Sequence, residues 1–204
     1  MAHFAIVVVG ASLGGVEALQ ELVSGLPRDI PAAILVVQHI GVNRSRLPEM
    51  LERSGPLPAR HASQGDTLRP GMVYIAPPDH HMIIIDGAAG LTRGPRENWA
   101  RPAIDPLFRS AADLYGRGVV GVVLTGALND GTAGLHAVRQ RGGIGIVQDP
   151  ADALCADMPR SALQHAGADF CVPLAEIPRL VSRLARGIIS KLEISEDARW
   201  RAAR

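Results

Sequence analysis

The chain has 204 residues, 21 Lys+Arg against 20 Asp+Glu, 7 His and 2 Cys, and 47% of it is hydrophobic. A chain of this length and apolar share buries on the order of 70% of its unfolded surface, which excludes a disordered protein. A formal net charge of +1 argues against charge-driven binding to nucleic acid, and Cys155 and Cys171 supply neither a disulfide framework nor a zinc spacing. No apolar run approaches the ~18 residues of a membrane span, and the start MAHFAIVVVG lacks the basic segment and small-residue cleavage site of an export signal. The expected location is the cytoplasm, with no insertion into a membrane.

Phe4 to Val9 (FAIVVV) is rich in β-branched residues, reads as a strand buried on both faces, and stops at Gly10. Leu13, Val16, Leu19, Leu22 and Val23 then recur at three- and four-residue steps, which predicts a helix from Leu13 to Leu26. Ala32 to Val37 is a second buried strand and Arg44 to Arg53 a second helix. Between Pro58 and Pro95 the runs shorten and Gly and Pro break them: Gly71–Ala76, Met82–Ile85 and Leu91–Arg93. This stretch predicts an antiparallel insert of hairpins.

Ala103 to Tyr115 places Ile104, Leu107, Phe108, Ala111, Ala112 and Tyr115 on one side, a helix opened near Pro102. A buried strand follows at Val119–Leu124, a helix at Gly131–Arg141 and a short strand at Ile144–Val147. Helices at Met158–His165 and Leu174–Ile189 flank a weak strand at Asp169–Val172. The alternation predicts an α/β fold: a mostly parallel, doubly wound sheet with helices on both faces and a small antiparallel hairpin insert. With no repeat or linker in view, residues 1–189 read as one domain and 190–204 as a polar C-terminal tail.

Ligands of open α/β sheets bind beyond the carboxyl ends of the strands. After the first strand comes Gly10-Ala11-Ser12-Leu13-Gly14-Gly15, after the second Gln38-His39, and after Val119–Leu124 comes Thr125-Gly126-Ala127-Leu128-Asn129-Asp130-Gly131. A hydroxyl, an imidazole and a carboxylate thus share one edge of the sheet, the set that nucleophilic acyl transfer needs. G-x-S-x-G on a strand-to-helix turn exposes a serine beside free helix N–H groups that stabilise an oxyanion. The same pattern also serves a phosphate-binding loop or a helix cap for Ser12. Against a dinucleotide site, Ser12 stands where the fingerprint needs glycine, and no acidic residue ends the next strand. His39 is positioned as a general base, or as a strand-end histidine bonded to backbone. Asp130 reads as the acid that orients His39, or as a turn or N-cap residue.

Elsewhere the signals are weaker. His80 and His81 are adjacent and point to opposite faces of a strand, so a satisfied surface role outweighs a metal pair. Asp79 and Asp86 have no partner pattern. Cys155 lies in a loop with no positive helix end beside it. Arg96, Arg101 and Arg109 read as a solvated face, and Trp99 as a lid or a groove wall.

VVVGASLGG (7–15), LVVQH (35–39), GMVYIAPPDHHM (71–82), RPAIDPLFRSAA (101–112), GVVLTGALNDGTAG (121–134) and MPRSAL (158–163) together resemble the catalytic domain of the CheB protein-glutamate methylesterases of bacterial chemotaxis. The resemblance runs from about Ile6 to Leu180. It implies that Ser12 is the nucleophile, His39 the general base and Asp130 its orienter. It further implies hydrolysis of glutamate γ-methyl esters on the cytoplasmic helices of chemoreceptors to glutamate and methanol. Some members also deamidate receptor glutamine, through the same tetrahedral intermediate.

No cofactor or metal is expected. The expected partners are a methylated chemoreceptor cytoplasmic domain and a separate response-regulator or signalling protein. The backbone N–H of Leu13, with that of Ala127 or Leu128, is the expected oxyanion donor. Three departures stand out: Leu13 where the family often has threonine, Ala127 where it commonly has methionine, and IGVNRSR without the usual Met-Pro pair. Full-length relatives usually carry an N-terminal receiver domain, whereas the first strand here begins at Phe4, so activity ungated by phosphorylation in cis is expected. The alternatives are a catalytically weak or inactive CheB-like binding module in a chemosensory-type signalling pathway, an esterase or amidase of other specificity, and a nucleotide-binding protein.

Overall fold

The structure, a computed structural model, describes residues 4–40 and 45–187. The expected tail at 190–204, and the last residues of the helix expected to reach Ile189, lie outside the described residues. In chain order the elements are β1 (Ala5–Ala11), α1 (Gly15–Ser24), β2 (Ala32–Gln38), α2 (Leu47–Ser54), β3 (Ala59–His61), β4 (Asp66–Thr67), β5 (Met72–Ile75), β6 (His81–Ile85), β7 (Ala88–Thr92) and α3 (Ile104–Tyr115). They continue with β8 (Val119–Val123), α4 (Thr132–Gln140), β9 (Ile144–Gln148), α5 (Asp157–Ser161), β10 (Phe170–Val172) and α6 (Ile177–Ala185). A π-helical turn, Ala162–Ala166, extends α5 and accounts for the remainder of the helix expected at Met158–His165.

Seven strands form one sheet in the order β10-β9-β8-β1-β2-β5-β3, and every pairing in it is parallel. The second sheet, β4-β7-β6, is small and antiparallel. The expected fold class is therefore the observed one, but the sheet recruits more of the middle of the chain than expected. Gly71–Ala76, expected in the hairpin insert, instead supplies β5, which runs parallel to β2, pairing Ala33 with Met72 and Val36 with Ile75, and β3 lies outside it. The physical reason is burial. Val73, Tyr74 and Ile75 are all at most 1% exposed, and a strand covered on both faces suits a parallel inner position rather than a solvent-facing hairpin.

Alternate residues of β1 feed two separate cores. Val7, Val9 and Ala11 pack with Leu19 and Leu22 of α1, Leu51 of α2 and Leu180 of α6. Ile6 and Val8 face the other way, toward Leu107 and Phe108 of α3, Leu135 of α4 and Met82 of β6. The chain builds the sheet from β1 toward β2 and then returns to place β8 on the opposite side of β1. That reversal opens a crevice beyond the carboxyl ends of β1 and β8, where open α/β sheets hold their ligands.

Gly10 fixes how closely α3 approaches this crevice. A Cβ at Gly10 would lie 2.5 Å from Cγ2 of Ile104, so only glycine lets the first turn of α3 press on the end of β1.

Candidate active site

Ser12 follows β1 directly, and both neighbouring strands hold its backbone. Its N–H donates to the Thr125 carbonyl at 3.0 Å, and its carbonyl accepts from Gln38 Nε2 at 2.8 Å and from the Gly15 N–H at 2.9 Å. His39 leaves β2 with its N–H on the Ala11 carbonyl at 3.2 Å. The side chains then meet: Ser12 Oγ lies 3.1 Å from His39 Nδ1, and His39 Nε2 lies 2.8 Å from Asp130 Oδ2. An ionised carboxylate only accepts, so the Nε2–H donates to Asp130 and the Nδ1 lone pair is left to accept the hydroxyl proton. The structure thus brings the three residues singled out at the strand ends into one hydrogen-bonded line.

Asp130 is 1% exposed, and five donors converge on it. Besides His39, Oδ2 accepts from the Ile104 N–H at 2.7 Å; Oδ1 accepts from Asn98 Nδ2 at 2.7 Å, the Gly131 N–H at 2.9 Å and the Asp105 N–H at 3.2 Å. The carboxylate therefore sits on the N-terminus of α3, where two otherwise orphaned amides and the positive helix end stabilise negative charge. Its expected alternative, a cap for the helix that follows it in sequence, is not how it is used. Burial pushes the Asp130 carboxyl up, but the bonds from His39 and Ile104 outweigh it and hold the group below the ordinary carboxylate value.

Two residues of this network went unassigned in the sequence. Asn98 Nδ2 bridges Asp130 and Asp105 Oδ2, the latter at 2.8 Å, while Asp105 Oδ1 accepts the Gly134 N–H at 2.6 Å. Burial first, and the neighbouring Asp130 charge second, push the Asp105 carboxyl above its ordinary value. Asn98 adopts a left-handed backbone at φ 49°, and no local sequence pattern marks it. Asp105 was visible only as an acidic residue in a first helical turn.

Thr125 and Gly126 complete the wall behind Ser12. Thr125 Oγ1 donates to the Leu13 carbonyl at 2.9 Å and accepts the Cys155 N–H at 2.9 Å. The Gly126 N–H is used on the Cys155 carbonyl at 3.0 Å. The amides of Leu13, Ala127 and Leu128, by contrast, donate to no group among the described residues, which leaves them free for an oxyanion. A Cβ at Gly126 would stand 2.8 Å from the Ser12 Cβ and strike the Met158 thioether. We therefore expect Gly126→Ala to destabilise the fold by about 1–3 kcal/mol and, by displacing Ser12, to lower kcat by about tenfold or more; thermal unfolding and ester hydrolysis measured on the same preparation check both.

Other assignments change in the structure. His81 is not a surface residue: it is 2% exposed, its Nε2–H donates to the Pro95 carbonyl at 2.9 Å and its Nδ1 accepts the Ala103 N–H at 3.2 Å. It thereby seats the entry to α3. Arg101 is no solvated side chain either, since its Nε and Nη2 donate to Asp79 Oδ1 at 2.9 and 2.7 Å and its Nη1 to the Gly94 carbonyl at 2.9 Å. That clamp also gives Asp79 the partner it lacked. Arg109 pairs with Glu97 at 2.6 Å in a half-buried ion pair. Trp99 is not packed down as a lid; it stands 88% exposed beside Asn98.

A hydroxyl, an imidazole and a buried carboxylate in line at the edge of a parallel α/β sheet is the constellation of the serine hydrolases. The comparisons narrow the class. The family model of the CheB methylesterases matches residues 7–181, and the chain belongs to that family. It is 42% identical over 186 residues to a protein-glutamate methylesterase/protein-glutamine glutaminase of Anaeromyxobacter dehalogenans, covering 91% of this chain and 54% of that one. A relative from Leptospira interrogans is 36% identical over 184 residues, 89% of this chain and 95% of its own length. The crystal structure of the Thermotoga maritima CheB methylesterase catalytic domain superposes with a TM-score of 0.85 at 34% identity, covering 89% of this chain and 98% of that one. The chain thus spans about half of the Anaeromyxobacter relative and nearly all of the other two.

Proposed function

We propose that this protein is a protein-glutamate methylesterase in which Ser12 is the nucleophile, His39 the general base and acid, and Asp130 the residue that orients and stabilises His39. The observation that carries the reading is the unbroken line from Ser12 Oγ through His39 to Asp130, at 3.1 and 2.8 Å.

In the first half-reaction Ser12 Oγ bonds to the γ-carbonyl carbon as its proton passes to His39 Nδ1. The resulting imidazolium stays paired with Asp130. The carbonyl oxygen becomes an oxyanion and accepts from the Leu13 N–H, with Ala127 or Leu128 as second donor. The tetrahedral species collapses, its C–O bond to the methoxy group breaks, and that oxygen takes the proton from His39 to leave as methanol. In the second half, water loses a proton to His39 as its oxygen bonds to the acyl carbon; the C–Oγ bond then breaks, Ser12 Oγ takes the proton back from His39, and the glutamic acid leaves and ionises in solvent. A glutamine amide enters the same sequence with ammonia as the leaving group. Each oxyanion donor of this kind contributes on the order of 10²–10³-fold in rate; Leu13 and Ala127 supply theirs from the backbone, so their side chains differ from the family's without removing a donor.

The substrate we propose is the methylated cytoplasmic domain of a chemoreceptor, met in the cytoplasm, with a separate response-regulator or signalling protein as further partner. Among the described residues no helix is long and apolar enough to cross a membrane. The test is methanol release from a receptor cytoplasmic domain carrying glutamate γ-methyl esters. Catalytic release supports the reading; tight binding to that domain with no methanol, and no ammonia from its glutamines, would support an inactive binding module instead.

A further inference from the structure

Apolar side chains scattered over a protein surface are ordinary. Among the described residues the most exposed ones are not scattered. Trp99, Leu154, Leu128 and Leu13 are 88%, 77%, 61% and 60% exposed, and all four belong to the loops that build the Ser12 site. Leu13 follows Ser12. Leu154 lies against Gly14, where an added Cβ would meet its Cδ2 at 2.7 Å. Leu128 lies between Thr125, which accepts the Ser12 N–H, and Asp130. Trp99 follows Asn98, which donates to Asp130. The other exposed large apolar residues, Met50, Ile85 and Leu114, are less open and sit on regular helix or strand.

Two of the four combine exposure with backbone strain. Leu128 and Trp99 hold φ at 66° and 64°, a left-handed conformation that costs a side-chain-bearing residue about 1–2 kcal/mol and that glycine adopts freely. Strained residues persist where the surroundings impose them, and they cluster at functional sites. Bulky apolar groups held in that conformation, with most of their surface in water, gain nothing from packing inside this chain. Three of the four loops carry no charge, since residues 10–16, 125–129 and 153–155 contain no Asp, Glu, Lys or Arg, whereas the Trp99 loop carries Arg96, Glu97 and Arg101.

The geometry points to an apolar docking rim, formed by Leu13, Trp99, Leu128 and Leu154, that selects polypeptides whose esterified glutamate is flanked by apolar rather than charged side chains. The inference rests on the esterase reading above. Its occupant is the ester-bearing chain and not a second copy of this protein, because anything that brings a carbonyl carbon to Ser12 must lie against Leu13 and Leu128, whose free amides take the oxyanion. The chain segments on either side of the ester then cover Trp99 and Leu154.

Two helical peptides test this, each with one glutamate γ-methyl ester: one carries Leu and Ala three and four residues to either side, the other Lys and Ser. We expect the apolar-flanked peptide to have the higher kcat/KM by about tenfold or more, expressed in KM, as for one or two buried apolar groups. Trp99→Ser combined with Leu154→Ser should bring the two peptides level by raising KM for the first, whereas Leu114→Ser, on α3, should preserve the preference. Equal kcat/KM for the two peptides with the unaltered protein, or a preference that survives the double substitution, overturns the rim. Anisotropy with the same two ester peptides and the Ser12→Ala variant measures the same preference without turnover. A binding preference, with no methanol released by the unaltered protein, therefore supports the rim while rejecting the esterase, and methanol release without any preference does the reverse.

Discussion

Ser12→Ala is expected to lower kcat for methyl-ester hydrolysis by about 10⁴–10⁶-fold while changing stability by no more than about 1 kcal/mol. The asymmetry follows from how the residue is held. The Ser12 main chain is fixed by hydrogen bonds to Thr125, Gln38 and Gly15 that do not involve its side chain, whereas Oγ has His39 as its hydrogen-bond partner. Removing the oxygen thus deletes the attacking atom and leaves the turn intact. Methanol release and thermal unfolding, followed together, check the two halves. Full activity in this variant would mean that another group attacks the ester.

Asp130→Asn is expected to cost activity and stability together. Every contact that Asp130 makes is with a donor: His39 Nε2–H, the amides of Ile104, Asp105 and Gly131, and Asn98 Nδ2. A carboxylate accepts all five, but a carboxamide has one oxygen and must point its NH2 at other N–H groups. Leaving buried donors without an acceptor in this way costs about 1–3 kcal/mol for each group left unsatisfied. The same NH2 favours the tautomer of His39 whose proton faces Ser12, which removes the base, and loss of about 10⁴-fold in kcat follows.

The pH dependence is set by the direction of the shift. Asp130 titrates below its unfolded-state value of roughly 4. Its contribution to stability is complete above that value and is lost as pH falls through the lower folded value. The Tm difference between the unaltered protein and Asp130→Asn should therefore be largest near neutrality and shrink as pH falls below the ordinary carboxylate range. Asp105 works in the opposite sense. Its carboxyl is raised, so ionising it above that value weakens the fold, and protonation on the way down relieves the strain. A gap that widened in acid would contradict this account of the carboxylate.

The sequence reached the site because the strands that carry it are self-evident. FAIVVV and VVGVV are free of polar side chains and rich in β-branched residues, and runs of that kind belong to parallel strands covered on both faces. Once those strands are drawn, the residues after them lie on one edge, and Ser12, His39 and Asp130 are the ones there with acyl-transfer chemistry. What escaped was whatever depends on long-range packing. β5 pairs with β2, more than thirty residues earlier in the chain, as well as with β3, and nothing within GMVYIA distinguishes a parallel inner strand from one arm of a hairpin. Asn98 and Asp105 are ordinary polar residues until α3 docks against Gly10 and brings them to Asp130. His81 reads as one of two adjacent surface imidazoles, yet α3 and the Pro95 carbonyl bury it.

Labelling with a small fluorophosphonate, mapped by peptide mass spectrometry, tests the central claim most directly, because an ordinary serine does not react and one whose proton is drawn off by an aligned imidazole does. The account predicts a single adduct on Ser12, lost in Ser12→Ala and strongly slowed in Asp130→Asn. An unlabelled Ser12, or labelling that proceeds at the same rate without Asp130, would contradict it.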